Sequence, residues 1–172
     1  MLVPILLKGV QSIFDDAMNV VEAELAASLD LGLGPAEALE HVISTHTRVI
    51  AERRFVSNVL LEHSRELPPR LARRALQRQS SYTARIRKVY EQGVAVGVFF
   101  DDDPELVVNG LLGMANWSYR WFQPGRHPDP KILGNLFGRL AVNAIRRYPA
   151  VQVEVPSAGE SDEPHSPTAR AV

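Results

Sequence analysis

Apolar residues recur every third or fourth position along most of this chain, and prolines punctuate the recurrence. In "LLKGVQSIFDDAMNVVEAELAA", residues Leu6, Val10, Ile13, Phe14, Ala17, Val20, Val21 and Leu25 fall on one helical face. Val42, Val49 and Ile50 give an apolar side to a second helix, from Pro35 to about Arg53. A shorter segment, Phe55 to about Glu66, carries Phe55, Val56, Val59 and Leu60. A long one, Pro69 to about Val96, carries Leu71, Ala75, Tyr82, Ile86, Val89 and Tyr90. Two more follow, Pro104 to Phe122 and Pro130 to Tyr148. Only "VAVGVFF" is rich in β-formers, and it is too short and isolated to require a strand. The pattern predicts an all-α fold of about six helices.

The helix starts are marked chemically. Proline suits the first helical position because its missing N–H has no partner there in any case and its φ is already helical. Pro35, the pair Pro68 and Pro69, Pro104 and Pro130 all stand at predicted starts, with Asp103 and Asp129 as N-caps before the last two. Glu37 and Glu105 sit in first turns, facing the positive ends of helix dipoles. Gly97 suits the left-handed position that ends the long helix. From Pro149 the composition turns to Pro, Ser, Glu and Ala without helical period. The expected organisation is one domain over 1–148 and a disordered tail over 149–172.

Composition narrows the chemistry. The chain has 172 residues, a net charge of -1 and no cysteine, which excludes disulfides, thiolate metal sites and cysteine nucleophiles. Absence of cysteine and of a secretory leader fits a cytoplasmic protein. The longest uncharged stretch, Leu106 to Tyr119, is 14 residues, too short to span a membrane. No Gly-x-Ser-x-Gly elbow, phosphate-cradling glycine loop or metal-ligating histidine pair occurs. Asp101, Asp102 and Asp103 precede Pro104, so a helix cap accounts for them. No enzymatic activity, cofactor or metal is expected.

Three features remain. Arg70, Arg73, Arg74, Arg78, Arg85, Arg87 and Lys88 make one helix strongly basic, with no acid between Glu66 and Glu91. Such a stripe can hold phosphates or simply be solvated. No aromatic residues interleave it, as a single-strand nucleic-acid groove requires. The five histidines are scattered, so local hydrogen bonding or solvation is expected of them. On the penultimate helix, Leu106, Gly110, Gly113, Trp117 and Trp121 form one face, and Val108, Leu111, Leu112, Ala115, Tyr119 and Phe122 cover most of the rest. The last helix adds Leu133, Leu136, Phe137, Leu140 and Ala141, with Gly134 and Gly138 four apart. Helices apolar nearly all round need cover nearly all round. A second copy of the chain is one such cover, and the centre of a monomer's core is the other.

The run "GLLGMANWSYRWFQPGRHPDPKILGNLFGRLAVNAI" resembles the C-terminal region of TetR-type transcriptional regulators, and in particular the subgroup that represses fatty-acid or steroid catabolism in response to acyl-CoA thioesters. "EQGVAVGVFFDDDPELVVNGLLG" and "RFVSNVLLEHSRELPP" resemble segments upstream in the same family. The resemblance implies an effector-binding and dimerisation domain whose last two helices pair with their mates in a four-helix bundle. It implies no catalysis, a homodimer, and a hydrophobic or acyl-CoA-type effector. Residues expected around that effector are Phe14, Met18, Phe55, Tyr82, Ile86, Met114 and Trp117, with Asn116 and Arg120 as polar anchors and Arg74 and Arg78 at phosphates. Dimer contacts are expected from Trp121, Leu133, Gly134, Phe137, Gly138 and Ala141. The family reads DNA through an N-terminal helix-turn-helix. No such segment occurs in this sequence, so operator recognition is not expected of the chain as given. The alternative from another class is a stand-alone helical dimer that antagonises full-length regulators without binding a ligand.

Overall fold

The computed structural model describes residues 2–62 and 67–148, and the expected tail over 149–172 lies outside them. Seven helical segments lie within the described residues: α1 (Leu2–Asp30), α2 (Pro35–Glu52), α3 (Arg54–Glu62), α4 (Pro69–Ala95), α5 (Pro104–Asn116), α6 (Ser118–Trp121) and α7 (Pro130–Ile145). The predicted punctuation is present. Proline opens α2, α4, α5 and α7. The Asp103 carboxylate accepts from the Glu105 and Leu106 N–H groups at 2.8 and 3.1 Å, and that of Asp129 accepts from Lys131 N–H at 2.7 Å. Gly97 adopts φ +76°, where L side chains are strained. "VAVGVFF" forms no strand. It is pinned instead by a single bridge between Phe99 and Arg146, and the Phe99 ring fills the space over Gly93.

One predicted element divides. The helix expected over Pro104 to Phe122 breaks at Trp117, where Asn116 ends α5 and Ser118 opens α6. Up to the break the bonding is α-helical, with Trp117 N–H on Gly113 O four residues back at 3.0 Å, and past it one bond shortens its reach, with Arg120 N–H on Trp117 O three residues back at 3.1 Å.

α2 is the hub, packing against all six other helices. Ala38, Leu39, Val42, Ile43, Thr45, Thr47, Val49 and Ala51 are buried along it, far more than one side. The buried Thr47 hydroxyl is satisfied by donating to Ile43 O one turn back, at 2.8 Å. The main core gathers Phe14, Leu25, Ile43, Ile86, Tyr90, Phe99 and Val108 from five segments. A smaller cluster of Ala51, Phe122 and Leu133, with Phe137 against it, ties the end of α2 to α7.

The closest approach joins α2 to α7. A Cβ on Gly134 would overlap the Ser44 carbonyl oxygen, and one on Gly138 would overlap the Ser44 hydroxyl and stand 2.5 Å from Glu40 O. Four of the residues expected at a dimer contact lie on this side of α7. Leu133, Gly134, Gly138 and Ala141 are buried inside the protomer, and the two glycines admit α2 of the same chain. The large apolar side chains that α7 leaves outside are Ile132, Leu136 and Leu140, beside the exposed Lys131, Asn135 and Arg139.

The glycine contacts predict a stability pattern opposite to helix propensity. Alanine in a helix is favoured over glycine by about 1 kcal/mol. At Gly138 the overlap with backbone dominates, so Gly138→Ala is expected to lose about 1–3 kcal/mol in urea unfolding. Gly9, in α1 with nothing within 4 Å of its added Cβ, is the control, and Gly9→Ala is expected to gain up to about 1 kcal/mol.

Candidate functional site

A cavity of about 260 Å³ lies between the first five helices. α1 supplies Phe14, Ala17, Met18 and Val21; α2 supplies His46, Val49 and Ile50; α3 supplies Ser57 and Leu61. α4 adds Gln79, Tyr82 and Thr83, α5 adds Asn109, Leu112, Gly113 and Asn116, and Arg53 lines it at the α2–α3 junction. The α1 contributors are spaced three, one and three apart, the stripe that a single helical face presents. Apolar side chains make the greater part of the wall, with a few polar groups set into it, the usual make-up of a small-molecule pocket.

Among the polar groups, three are linked. His46 Nε2 lies 2.9 Å from Asn116 Oδ1, joining α2 to the last residue of α5. The imidazole stacks on Tyr82, with ring centroids 5.7 Å apart and planes 12° from parallel. Burial holds the His46 imidazole below its ordinary value near 6.5, against a smaller upward pull from the Asn116 bond. Burial likewise pushes the Tyr82 phenol up, aided by the Glu22 charge and opposed by that of Arg85. Both groups are therefore neutral near pH 7.

Four of the residues expected around an effector meet in this cavity: Phe14, Met18, Tyr82 and Asn116. The others lie elsewhere. Ile86 is fully buried in the core, and Met114 packs against that core. Trp117 is 55 % exposed on the outer face, with the Arg120 guanidinium 4.8 Å from its ring centroid. Phe55 and Arg120 instead line a separate groove of about 410 Å³ with Arg54, Asn58 and Tyr119. There Arg120 pairs with Glu62 at 3.3 Å, the Tyr119 hydroxyl donates to the same carboxylate, and Arg54 Nε donates to Tyr119 O at 3.0 Å. The periodicity of α3 placed Phe55 inward, whereas its ring is 64 % exposed.

Arg74 and Arg78 are engaged by α1. Arg78 donates to both Glu22 oxygens, at 3.1 and 2.7 Å, to Asp15 Oδ1 at 3.2 Å and to Asn19 Oδ1 at 2.9 Å. Arg74 pairs with the other Asp15 oxygen at 3.1 Å. The Glu22 bonds are the largest cause raising the Arg78 guanidinium above its ordinary value. These two cations, expected at ligand phosphates, pair with acids on α1 in the structure. A fork held on two carboxylates and an amide is a brace between α1 and α4. His41 likewise pairs with Glu24 of α1, at 2.7 Å, and His127 Nδ1 accepts from Gln123 N–H at 2.8 Å. His63 and His165 lie outside the described residues.

The sequence reading omitted His46, Asn109, Ser57, Gln79, Thr83 and Arg53 from the site. None left a clear signal: His46 stands among Ser44, Thr45, Thr47 and Arg48, a polar run in which a solvated histidine is ordinary.

The outer surface has its own pattern. Leu106, Gly110, Gly113, Trp117 and Trp121 are exposed on α5 and α6, and Ile132, Leu136 and Leu140 are exposed on α7. Leu106 is 70 % and Ile132 59 % exposed. Of the expected dimer residues, Trp121 and Phe137 border this face, their rings 6.2 Å apart.

Solved structures of the same fold include transcriptional regulators. A TetR/AcrR-family regulator from Thermobifida fusca YX-ER1 is 29 % identical, with 84 % of this chain and 74 % of that chain covered and a TM-score of 0.70. The ketosteroid transcriptional regulator KstR2 of Mycobacterium tuberculosis is 19 % identical, over 81 % of this chain and 72 % of that one, at a TM-score of 0.71. AibR, solved in complex with isovaleryl coenzyme A and operator DNA, is 16 % identical over 81 % and 74 %, at 0.64. The chain belongs to the tetracyclin repressor-like C-terminal domain family, whose model matches residues 32–145. No curated protein matches it.

His46 makes stability depend on pH with a definite sign. Its folded value lies below the unfolded one, so as pH falls through about 6.5 the unfolded chain takes up the proton first. The contribution is complete above that pH and is lost as pH falls toward the folded value. Unfolding followed from about pH 7.5 to 5 is expected to show stability falling on acidification. The slope is expected to be shallower in His46→Gln, by at most about 1.4 kcal/mol per pH unit.

Proposed function

We propose that this chain is the effector-binding and dimerisation part of a TetR-type repressor, sensing a hydrophobic or acyl-CoA-type ligand. The cavity between α1 and α5 carries the reading. It has the apolar wall and sparse polar groups suited to an oxygen-bearing hydrophobe. The isovaleryl coenzyme A bound to AibR and the ketosteroid role of KstR2 support a ligand of this class. α1 supplies one side of the cavity, so a ligand that fills it presses on α1 directly. The Arg78 brace on another side of α1 resists that displacement, and the balance between the two sets how far α1 moves.

Dimerisation rests on the uncovered apolar face of α5, α6 and α7. Paired with its mate, this face makes the four-helix bundle that the family resemblance implies. The contacts are then Ile132, Leu136, Leu140, Leu106, Trp117 and Trp121, with Gly110 and Gly113 allowing close approach of α5. The same face serves the alternative reading, a helical dimer that acts on other regulators without a ligand.

Two experiments follow from these roles. In thermal unfolding with medium-chain, long-chain and steroid acyl-CoA thioesters, at least one is expected to raise the Tm in proportion to the logarithm of its concentration. Met18→Trp, which fills the cavity, is expected to abolish the shift. No shift from any of them, with an intact dimer, would favour the ligand-free reading. For the interface, Leu136→Glu is expected to raise the dimer dissociation constant by at least about tenfold in sedimentation experiments. An unchanged dimer would place the subunit contact elsewhere.

A further inference from the structure

The cavity between the first five helices has a closed end and an open edge. Phe14, Met18, Val21, Val49 and Leu112 line it and are buried, which makes an apolar end where α1, α2 and α5 meet. Leu61 of α3 and Asn109 and Gly113 of α5 also line it, but they are exposed. A Cβ built on Gly113 would meet nothing within 4 Å, so this edge has room beside it. The way in therefore lies between α3 and α5, with Asn109 as a polar residue beside it.

Volume limits what can enter. An apolar cavity of about 150 Å³ takes one benzene ring. On that scale about 260 Å³ takes roughly ten carbon atoms. A steroid nucleus, with about seventeen carbons in one rigid body, exceeds that space on the same scale. So does the chain of a common long fatty acid.

We infer that the effector presents a medium-length acyl group of about six to ten carbons, its tail in the buried end and its polar head leaving between α3 and α5. The tail then stops against Phe14, Met18 and Val21, so α1 is the helix that measures chain length. Shorter chains leave part of the apolar end empty, and longer ones must displace α1 or leave methylenes in water. This inference rests on the ligand-sensing reading given above and narrows it by size.

The test is calorimetric titration of the full chain with straight-chain acyl-CoA thioesters from butyryl to palmitoyl, and with one steroid acyl-CoA. Affinity is expected to rise about fourfold with each added methylene that is buried. The rise is expected to stop near decanoyl, and the steroid thioester to bind at least about tenfold more weakly than decanoyl-CoA. Met18→Ala, which lengthens the closed end, is expected to move the break to dodecanoyl. Ala17→Leu, which fills part of it, is expected to move the break to octanoyl or below, and serves alone if the first variant does not fold. A rise that continues through palmitoyl, a steroid bound as tightly as decanoyl, or a break that neither variant moves overturns the size limit and leaves ligand sensing intact. Binding of none of these thioesters overturns both.

Discussion

The arrangement of this domain depends on how closely α7 approaches α2. Two glycines one turn apart remove the side chains that would otherwise separate the helices, and carbonyl oxygens of Glu40 and Ser44 occupy the space. Interior glycine is unfavourable in a helix, and here the loss is offset by backbone contact along a shared face. Because α2 touches every other helix, its seating against α7 fixes the frame on which the rest is positioned. One consequence is spatial. With Gly134, Gly138, Ala141 and Ile145 turned inward, Ile132, Leu136 and Leu140 face outward. The crossing that closes the core therefore also creates the uncovered apolar surface.

α1 and α5 show the same economy of faces. On α1, the cavity residues Phe14, Met18 and Val21 alternate with Asp15, Asn19 and Glu22, which hold Arg78. One helix thus meets the cavity and an ionic brace through adjacent stripes. On α5, Val108, Leu111 and Ala115 are core, Asn109 and Asn116 reach the cavity, and Leu106 and Gly110 face outward. Gly113 is both exposed and part of the cavity wall. Displacement at the site therefore reaches the outer face of α5 within the width of a single helix.

Local chemistry was legible in the sequence, and long-range partnership was not. Proline at N1, aspartate caps and the left-handed glycine act within a few residues, so each helix start could be read without knowing the fold. The three-four spacing of α1 located Phe14 and Met18, because the face that meets a cavity is continuous with the face that meets the core. The glycines of α7 declared that some backbone comes close, but a pair of small residues carries no information about whose. The arginines of α4 looked free because their acids lie some sixty positions earlier. Asp15, Asn19 and Glu22 follow a four-three spacing that matches one stripe, a signal visible only once α1 and α4 are known to be neighbours. Phe55 fitted the apolar period of α3, but a short helix with little covering it leaves some of that period in water.

His46 is the residue for which composition and pattern gave the least guidance, and it makes the cavity more than an apolar void. A leucine there would keep the core dry and would not have to be held neutral. The imidazole instead ties α2 to the end of α5 through Asn116 and lies against Tyr82, so three helices share one polar cluster. Because α2 touches every other helix, a polar side chain placed on it is held at fixed geometry against the cavity.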